Sequence, residues 1–485
     1  MFISLKLPIV EKVPLLKLKL SRDFSTRVKF TKRVAAVADA FGLGLDEERR
    51  FIVYKDFELE VFPGDVIFVT GESGSGKSIL LRELARALSE DRSFGRVLEA
   101  GSIEIDPNEV LIHGVGRDVS DAIEKLSMAG LNEAALFIRR YKELSDGQRY
   151  RYRIARLLDS DAGVWVLDEF ASTLDRDTAK VVAYLLQKVA RKRGKTVLVA
   201  TTHDDVLYDL NPTLLIRKKF GEVGAEIKRL SCSPRTCSLI SSTYIARGDM
   251  NDYKALERFH YLSRRPGYVT DVFKAVYNGD VVGVIVYTMC SSVVSGRFTA
   301  LPWLKRLYVS DRRGYYDFLG REFRRIARVV VAPKFRGIGL GVRLVRETLP
   351  RVGVKYVETL AVMARYNPFF EHAGMRRVSE NPPLYQEASK WFAERGFDLS
   401  MMASKRYNLS VLRRMDEGRR REVYDYLVKV FGYFKSRKKV MRLLIEGGPD
   451  LDLMAEALKM RPLPTVYLIW ERGQDVKNTN RAVNL

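Results

Sequence analysis

The spacing of apolar residues in the first half of the chain predicts strands that alternate with helices. An apolar run at Val66–Thr70 leads into a glycine-rich loop and an amphipathic helix, and a later apolar run ends in two acidic residues. Short apolar strands separated by helices are typical of a parallel sheet with helices on its faces. We therefore predict an α/β domain over residues 51–216.

The segments on either side of this domain have different patterns. Residues 1–50 interleave charged and apolar positions as in a strand and then show the spacing of a short helix. We expect this lead-in to pack on the α/β domain. Residues 217–243 mix basic residues with Gly, Ser and Pro, which predicts a linker.

The second half of the chain repeats the alternation of strands and helices and then becomes helical. Residues 244–385 contain a predicted hairpin that turns at Asn278–Gly279. From residue 386 to 485 the apolar spacing is that of helices, and Arg and Lys are abundant. The predicted fold is therefore an α/β multidomain protein with a second α/β domain over 244–385 and a basic helical C-terminal appendage over 386–485.

Composition adds an expected partner and an expected location. The 485 residues exceed a single hydrophobic core, and a formal net charge of +23 attracts polyanions, above all nucleic acid. No apolar run approaches the ~20 residues that span a bilayer, and the first residues lack the core of a secretory signal. We expect a cytoplasmic protein without a membrane partner. Scarce Gln with abundant Arg, Lys, Glu and Val suits a thermophilic, archaeal source.

The first chemical motif is the loop between residues 71 and 78. Glycines allow backbone N–H groups to turn toward phosphates, Lys77 can reach the β and γ phosphates, and the Ser78 hydroxyl can ligate Mg²⁺. This pattern predicts an ATP-binding loop, and its phosphate-binding residues are Gly71, Ser73, Gly74, Gly76, Lys77 and Ser78.

The second motif is the acidic pair at the end of the apolar run VWVL. Such a strand is expected to end beside the phosphate-binding loop. Asp168 is expected to hold Mg²⁺ through a water molecule, beside the Ser78 hydroxyl, and Glu169 is expected to polarise the water that attacks the γ-phosphate.

Three further segments resemble those of the ABC-type ATPases. They are the signature-like Leu144–Arg149, the D-loop-like Ser172–Asp175 and His203, which resembles the family's switch histidine. The resemblance implies that Ser145, Gly147 and Gln148 complete the ATP site of a second copy, so a homodimer is expected. It also implies an aromatic ring that stacks on adenine, for which Tyr54 is the first candidate and Phe51 the alternative.

Two departures distinguish the chain from the transporter branch of that family. The signature peptide of the family has Gly at the position of Asp146, and no Gln occurs between Lys77 and Leu144, where only His113 offers a substitute. The chain is more similar to the ABC ATPases that act on nucleic acid or ribosomes.

The segment Arg336–Gly341 resembles the R-x-x-G-x-G motif of the GNAT acyltransferases, and Asn367–Met375 resembles a later motif of that family. The resemblance implies acetyl-CoA, or a related acyl-CoA, held at a helix N-terminus. Phe370 stands where many relatives have a proton-donating Tyr, so Tyr366 is a substitute donor. Glu358 is a candidate general base beside Asp271, His260 and His372. The implied acyl-CoA contacts are Val329, Val331, Arg336, Gly337, Gly339, Gly341, Asn367 and Phe370.

The combined prediction is an ATP-dependent enzyme that acylates RNA or DNA, with ATP hydrolysis clamping or remodelling the substrate. Basic residues alternate with aromatic residues over 296–325, a pattern that suits phosphates and unstacked bases of tRNA, rRNA or DNA. Several segments also resemble the Mom-like branch of the GNAT family, which modifies adenine in phage DNA. The alternatives are a ribosome- or DNA-associated ABC ATPase whose GNAT-like domain binds without catalysis, and an enzyme that acetylates proteins.

Overall fold

The computed structural model describes residues 16–26, 31–42, 49–260, 266–380, 382–431, 438–460 and 464–473. Among these residues no helix is both long and apolar enough to cross a lipid bilayer. The first part of the chain consists of β1 (Leu16–Thr26), α1 (Lys32–Ala40), β2 (Arg49–Val61), β3 (Val66–Gly71), α2 (Lys77–Glu90), β4 (Val97–Glu99), α3 (Val119–Met128), α4 (Ala134–Phe137), α5 (Asp146–Asp159), β5 (Val164–Leu167), α6 (Arg176–Lys192), β6 (Thr196–Thr201), α7 (Leu207–Leu210), β7 (Leu214–Lys218) and β8 (Glu226–Arg229).

The second part begins after residue 229. It consists of α8 (Ser238–Ser241), β9 (Tyr244–Arg247), α9 (Met250–Glu257), β10 (Val269–Tyr277), β11 (Asp280–Thr288), α10 (Ser295–Ala300), α11 (Pro302–Ser310), α12 (Arg312–Glu322), β12 (Phe323–Val331), α13 (Leu340–Thr348), β13 (Tyr356–Ala361), α14 (Phe369–His372), β14 (Arg376–Glu380), α15 (Pro383–Glu394), α16 (Lys405–Arg414), α17 (Glu417–Phe431), α18 (Lys438–Gly447), α19 (Leu451–Leu458) and β15 (Val466–Glu471). Short 3₁₀ turns lie at Arg92–Phe94, Ala100–Ser102, Leu111–His113, Tyr141–Glu143, Asp204–Val206, Pro333–Phe335, Leu349–Val352, Met363–Arg365 and Met401–Ala403.

The first part is built on a six-stranded sheet with the order β4-β5-β6-β3-β7-β8. All neighbouring strands are parallel except β7 and β8. The fully buried strands β3 and β6 are apolar on both faces because helices cover the sheet. This confirms the predicted mixed α/β domain with its phosphate-binding loop. The sheet extends to Arg229, so the segment expected to be a linker contains the end of β7 and the whole edge strand β8.

The N-terminal strand β1 pairs with β2 and packs on this domain. Leu18 shares one hydrophobic cluster with Phe57 and Leu59 of β2 and with Ile67 and Leu80 of the ATP-binding region. The lead-in therefore supplies β1 to a two-stranded layer that packs against the phosphate-binding region.

The second part is built on a seven-stranded sheet with the order β14-β15-β13-β12-β11-β10-β9. Asn278 and Gly279 have φ values of 50° and 88°, which confirms the hairpin between β10 and β11. The last strand, β15, lies between β13 and β14. The domain therefore does not end at residue 385, because its sheet is completed by a strand from the expected appendage.

The helices α15–α19 form a separate hydrophobic cluster inserted between β14 and β15. Buried residues such as Phe392, Leu412 and Leu427 fill this cluster. The helical character predicted for the C-terminal region agrees with these bounds, whereas β15 departs from it.

Candidate functional site

The phosphate-binding loop joins β3 to α2 in a conformation that favours glycine. Gly71, Gly74 and Gly76 have φ values of 144°, 74° and 97°. A side-chain carbon at Gly71 would lie 1.8 Å from the carbonyl oxygen of Lys218, so no larger residue fits. Ser73 and Gly74 are exposed in the middle of the loop. The backbone can therefore surround an anion at the N-terminus of α2.

Lys77 lies across this loop. Its Nζ atom donates to the carbonyl oxygens of Gly71 at 2.8 Å and Glu72 at 2.5 Å. Burial lowers the pKa of the Lys77 ammonium, while the charge of Asp168 opposes that shift. An ammonium group held by neutral carbonyls is prepared to accept a phosphate as its charged partner.

Ser78, in the first turn of α2, lies beside Asp168, which directly follows β5. The Ser78 hydroxyl donates to Asp168 Oδ1 over 3.0 Å. Mg²⁺ keeps several of its waters in protein sites, so the Ser78 hydroxyl could bind the ion directly and Asp168 could hold it through a water molecule. The ion would polarise the phosphate oxygens. The neighbouring Glu169 is exposed, and its backbone N–H donates to Asp168 Oδ1 at 2.9 Å.

The switch-like and D-loop-like segments lie close to this edge of the sheet. His203 directly follows β6 and is half-buried, and the hydroxyl of Thr70 donates to the next residue, Asp204. Asp175 is the N-cap of α6 and accepts hydrogen bonds from the Thr178 N–H at 3.1 Å and the Thr178 hydroxyl at 2.6 Å. The strand ends thus bring together the segments that the sequence separates by about 130 residues.

The signature-like peptide forms the N-terminus of α5. Ser145 caps the helix, and the side-chain oxygen of Gln148 accepts from the Ser145 N–H at 3.1 Å. A side-chain carbon at Gly147 would lie 3.1 Å from Leu174, so this glycine packs on the D-loop. Asp146 is 84% exposed and lies 3.5 Å from Arg149. The amide end of α5 therefore faces solvent, where a second molecule can reach it.

Tyr54 does not form the expected platform for adenine. Its side chain is 1% exposed, and its hydroxyl donates to the carbonyl oxygen of Gly76 at 3.1 Å. The physical cause is a bulge at Asp56, which has a φ of 50° and turns Tyr54 to the same buried face as Phe57. The prediction for Tyr54 is wrong, and the ring of the alternative, Phe51, lies outside the described side chains.

A second glycine loop lies where two parallel strands separate. β12 pairs with β13 only from Phe323 opposite Tyr356 to Arg325 opposite Glu358. Beyond that point β11 is the only partner of β12 among the described strands, so Val329 and Val331 line a strand edge that β13 leaves open.

The glycines of this loop are accessible. Gly337 and Gly339 are exposed, with φ values of 82° and 100°, and α13 starts one residue after Gly339. Phe369 lies 3.7 Å from a side-chain carbon built at Gly341. Bare amides at a helix N-terminus can bind a pyrophosphate.

Two side chains expected at an acyl-CoA are engaged elsewhere. The guanidinium of Arg336 donates to the carbonyl oxygens of Val331, Asn132 and Phe259 at 2.8, 2.6 and 3.0 Å. Phe370 is 5% exposed and belongs to the hydrophobic core of the second domain. Neither side chain is free to contact a ligand. The expected acyl-CoA contacts of Arg336 and Phe370 are therefore replaced by structural roles.

Glu358, a candidate general base, instead forms a buried ion pair and has a structural role. Its carboxylate is 1% exposed and accepts from the Arg297 guanidinium at 2.9 and 2.7 Å and from the Tyr467 hydroxyl at 2.9 Å. An oxygen pair held by a buried cation is poorly placed to take a proton from a substrate. Tyr366 is half-buried and Asn367 is exposed.

Arg297 is a buried residue of the second domain that the sequence does not single out. It is 0% exposed and joins α10 to both Glu358 and Tyr315. A lone arginine in a basic segment gives no sign that it will be buried, because its partners lie 18 and 61 residues away.

Part of this chain is similar to known proteins. A protein-family model described as an AAA domain matches residues 62–205. The phosphonates import ATP-binding protein PhnC of Stutzerimonas stutzeri is 31% identical over 187 residues, covering 30% of this chain and 68% of that protein. The cytochrome c biogenesis ATP-binding export protein CcmA of Zymomonas mobilis is 31% identical over 161 residues, covering 31% of this chain and 72% of that protein.

A solved structure gives a further comparison. A dimeric, post-hydrolysis ATP-binding cassette bound to ADP and Pi has 19% identity and a TM-score of 0.34, over 45% of this chain and 100% of that chain. The residues matched by the family model, 62–205, include the phosphate-binding loop, the acidic pair, the signature-like peptide and His203.

Proposed function

Since the chain belongs to the ABC-type ATPases, we propose that it is an ATP-dependent acyltransferase that modifies nucleic acid, RNA or DNA, with acetyl-CoA or a related acyl-CoA. The observation that carries the transferase half is the separation of β12 from β13 beside the exposed glycines 337 and 339. A strand edge and bare helix-terminal amides together offer hydrogen bonds to an extended amide chain and a pyrophosphate.

In the ATPase half, two copies of the chain close around ATP. The loop with Lys77 holds the phosphates, Ser78 and Asp168 hold Mg²⁺, and Glu169 orients the attacking water. The exposed N-terminus of α5 of the other copy completes the site, and His203 contacts the γ-phosphate. Closure then clamps or remodels the nucleic acid in the cytoplasm.

In the transferase half, an amine attacks the thioester carbonyl of the acyl-CoA. The new C–N bond replaces the C–S bond. The amine gives up a proton to water, the departing thiolate takes a proton from its donor and leaves as the free thiol, and the donor regains a proton from water. Tyr366 is the residue proposed to supply the thiolate proton. Val329, Val331 and the glycine loop hold the acyl-CoA, and Asn367 lies on the exposed side of the following turn.

The nucleic acid is proposed to contact α11 and α12. Several basic side chains of these helices are exposed and form no ion pair within the described residues. By contrast, the arginine that follows α15 is paired with Glu422, and two arginines of α17 are paired with Asp416 and Asp425. Trp303 and Tyr316 are 37% and 45% exposed between them and can stack on unpaired bases. The unpaired basic residues are Lys305, Arg306, Arg313 and Arg321.

A second candidate function is a ribosome- or DNA-associated ABC ATPase whose second domain does not catalyse. The burial of Phe370 and the ion pair of Glu358 favour it, because both leave the strand gap without a proton donor or base at those positions.

Calorimetric titration with coenzyme A tests whether the second domain binds this ligand at all. We expect binding to the wild type and about tenfold weaker binding to Gly339→Ala, because φ of 100° strains any residue with a side chain. Gly353→Ala is the matched control, with φ of 83° and open space around it. If coenzyme A does not bind the wild type, the acyltransferase proposal fails.

A further inference from the structure

The two α/β domains meet at the glycine loop of the second domain. A side-chain carbon at Gly337 would lie 3.3 Å from Leu185 of α6 and 3.5 Å from the carbonyl oxygen of Ser127 at the end of α3. The adjacent Arg336 donates to Asn132, between α3 and α4. Helices of the ATPase therefore form one wall of this loop.

A polar contact accompanies this packing. Asp177, in the first turn of α6, accepts from Lys334 Nζ at 3.2 Å and from the Tyr277 hydroxyl at 3.3 Å. Lys334 precedes the glycine loop by three residues, and Asp177 follows the D-loop residue Asp175 by two. The contact thus connects the glycine loop of the second domain to the D-loop through residues that lie two or three positions from each loop.

Charges from both domains converge on Asp175. Burial disfavours ionisation of its carboxyl, but hydrogen bonds from Thr178 and the charges of Lys334 and Arg151 hold its pKa below the ordinary value. Arg151 lies on α5 and donates to Gly147 of the signature-like peptide at 3.2 Å. A cation of the signature helix and a cation of the second domain therefore both favour the ionised carboxylate of the D-loop residue.

We propose that Lys334 and Asp177 are positioning residues through which the second domain holds the D-loop in the geometry that ATP hydrolysis requires. Because the same contact joins both loops, a change of ATP state also shifts the glycine loop, and the coupling is reciprocal. The inference concerns the ATPase reaction and goes beyond the proposed acyl transfer.

The test measures steady-state ATP hydrolysis by the full chain. Lys334→Met is expected to lower kcat about fivefold and to leave KM for ATP within about twofold, since Lys334 positions the D-loop and contacts no part of the phosphate-binding loop. Lys274→Met is the matched control, because it removes a 3.0 Å ion pair with Asp252 that lies wholly within the second domain. The control is expected to keep the wild-type kcat.

A second variant separates positioning from general destabilisation. Asp177→Asn should lower kcat to a similar degree, and the double variant should be no slower than the slower single variant, because both changes remove one contact. A wild-type kcat in Lys334→Met, equal losses in Lys274→Met, or additive losses in the double variant would overturn the inference. Failure of coenzyme A to bind would instead overturn the proposed acyl transfer and leave these ATPase results unchanged.

Discussion

The hydroxyl of Tyr54 donates a hydrogen bond to the carbonyl oxygen of Gly76 at a distance of 3.1 Å. The ring lies beneath the phosphate-binding loop and packs 5.6 Å from the ring of Phe57. The layer formed by β1 and β2 therefore supports the loop from below.

Substitutions of Tyr54 test this supporting role. Tyr54→Phe should cost about 1 kcal/mol of unfolding free energy through the lost hydrogen bond, and Tyr54→Ala about 3–5 kcal/mol through the cavity. Both costs are measured by denaturant unfolding, and ATP affinity of the Phe variant should stay within about threefold. Loss of ATP affinity in Tyr54→Phe at unchanged stability would contradict the assignment.

The proposed role of Glu169 predicts that a variant without its carboxylate accumulates as an ATP-bound dimer. Glu169→Gln should bind ATP without hydrolysing it and should sediment as a dimer in ATP and as a monomer without nucleotide, because its carboxylate is needed only to orient water. Lys77→Ala is the control and should fail to bind ATP. A Glu169→Gln protein that stays monomeric with saturating ATP would disprove the shared site.

The acid in the signature-like peptide should weaken the assembly. Asp146 carries an exposed negative charge at the helix end that is proposed to face the γ-phosphate of the other copy. Asp146→Gly in the Glu169→Gln background should tighten the ATP-dependent dimer about fivefold at low salt and less at high salt. Glu417→Gly, at the start of α17, should change nothing, and equal effects of both substitutions would contradict the model.

The buried ion pair predicts a stability effect. Glu358→Gln leaves Arg297 buried without its counter-charge and should destabilise the second domain by about 3–5 kcal/mol. Glu347→Gln, which breaks the half-buried pair with Arg343, should cost less than about 1 kcal/mol. Thermal unfolding followed by circular dichroism compares the two. If Glu358→Gln unfolds at the wild-type temperature but no longer transfers the acyl group, Glu358 acts as the general base.

The sequence predicts those parts of the ATP site that depend on contiguous residues. The loop from Gly71 to Ser78 and the capped start of α5 each form from local backbone conformation, so their motifs suffice. Asp168 could be assigned because it ends a short strand that follows the loop in order. The loop precedes α2, and Asp168 follows β5 at the same edge of the sheet.

The errors arise where distant segments or a local irregularity decide the outcome. The bulge at Asp56 reverses which side chains of β2 face the core, and no residue type in that strand indicates a bulge. β15 reaches the second sheet only after five helices, so its short apolar run gives no sign of its partners. The burial of Glu358 depends on Arg297, which lies 61 residues away in sequence.

The most direct test of the whole account is acyl transfer itself. The full chain is incubated with acetyl-CoA labelled in the acetyl group, with or without ATP, and with tRNA, rRNA or DNA in separate reactions. The account predicts that label enters one class of nucleic acid with ATP and wild-type protein and is absent with Lys77→Ala. Label that enters only protein, or that enters nucleic acid equally with the Lys77→Ala variant, would contradict it.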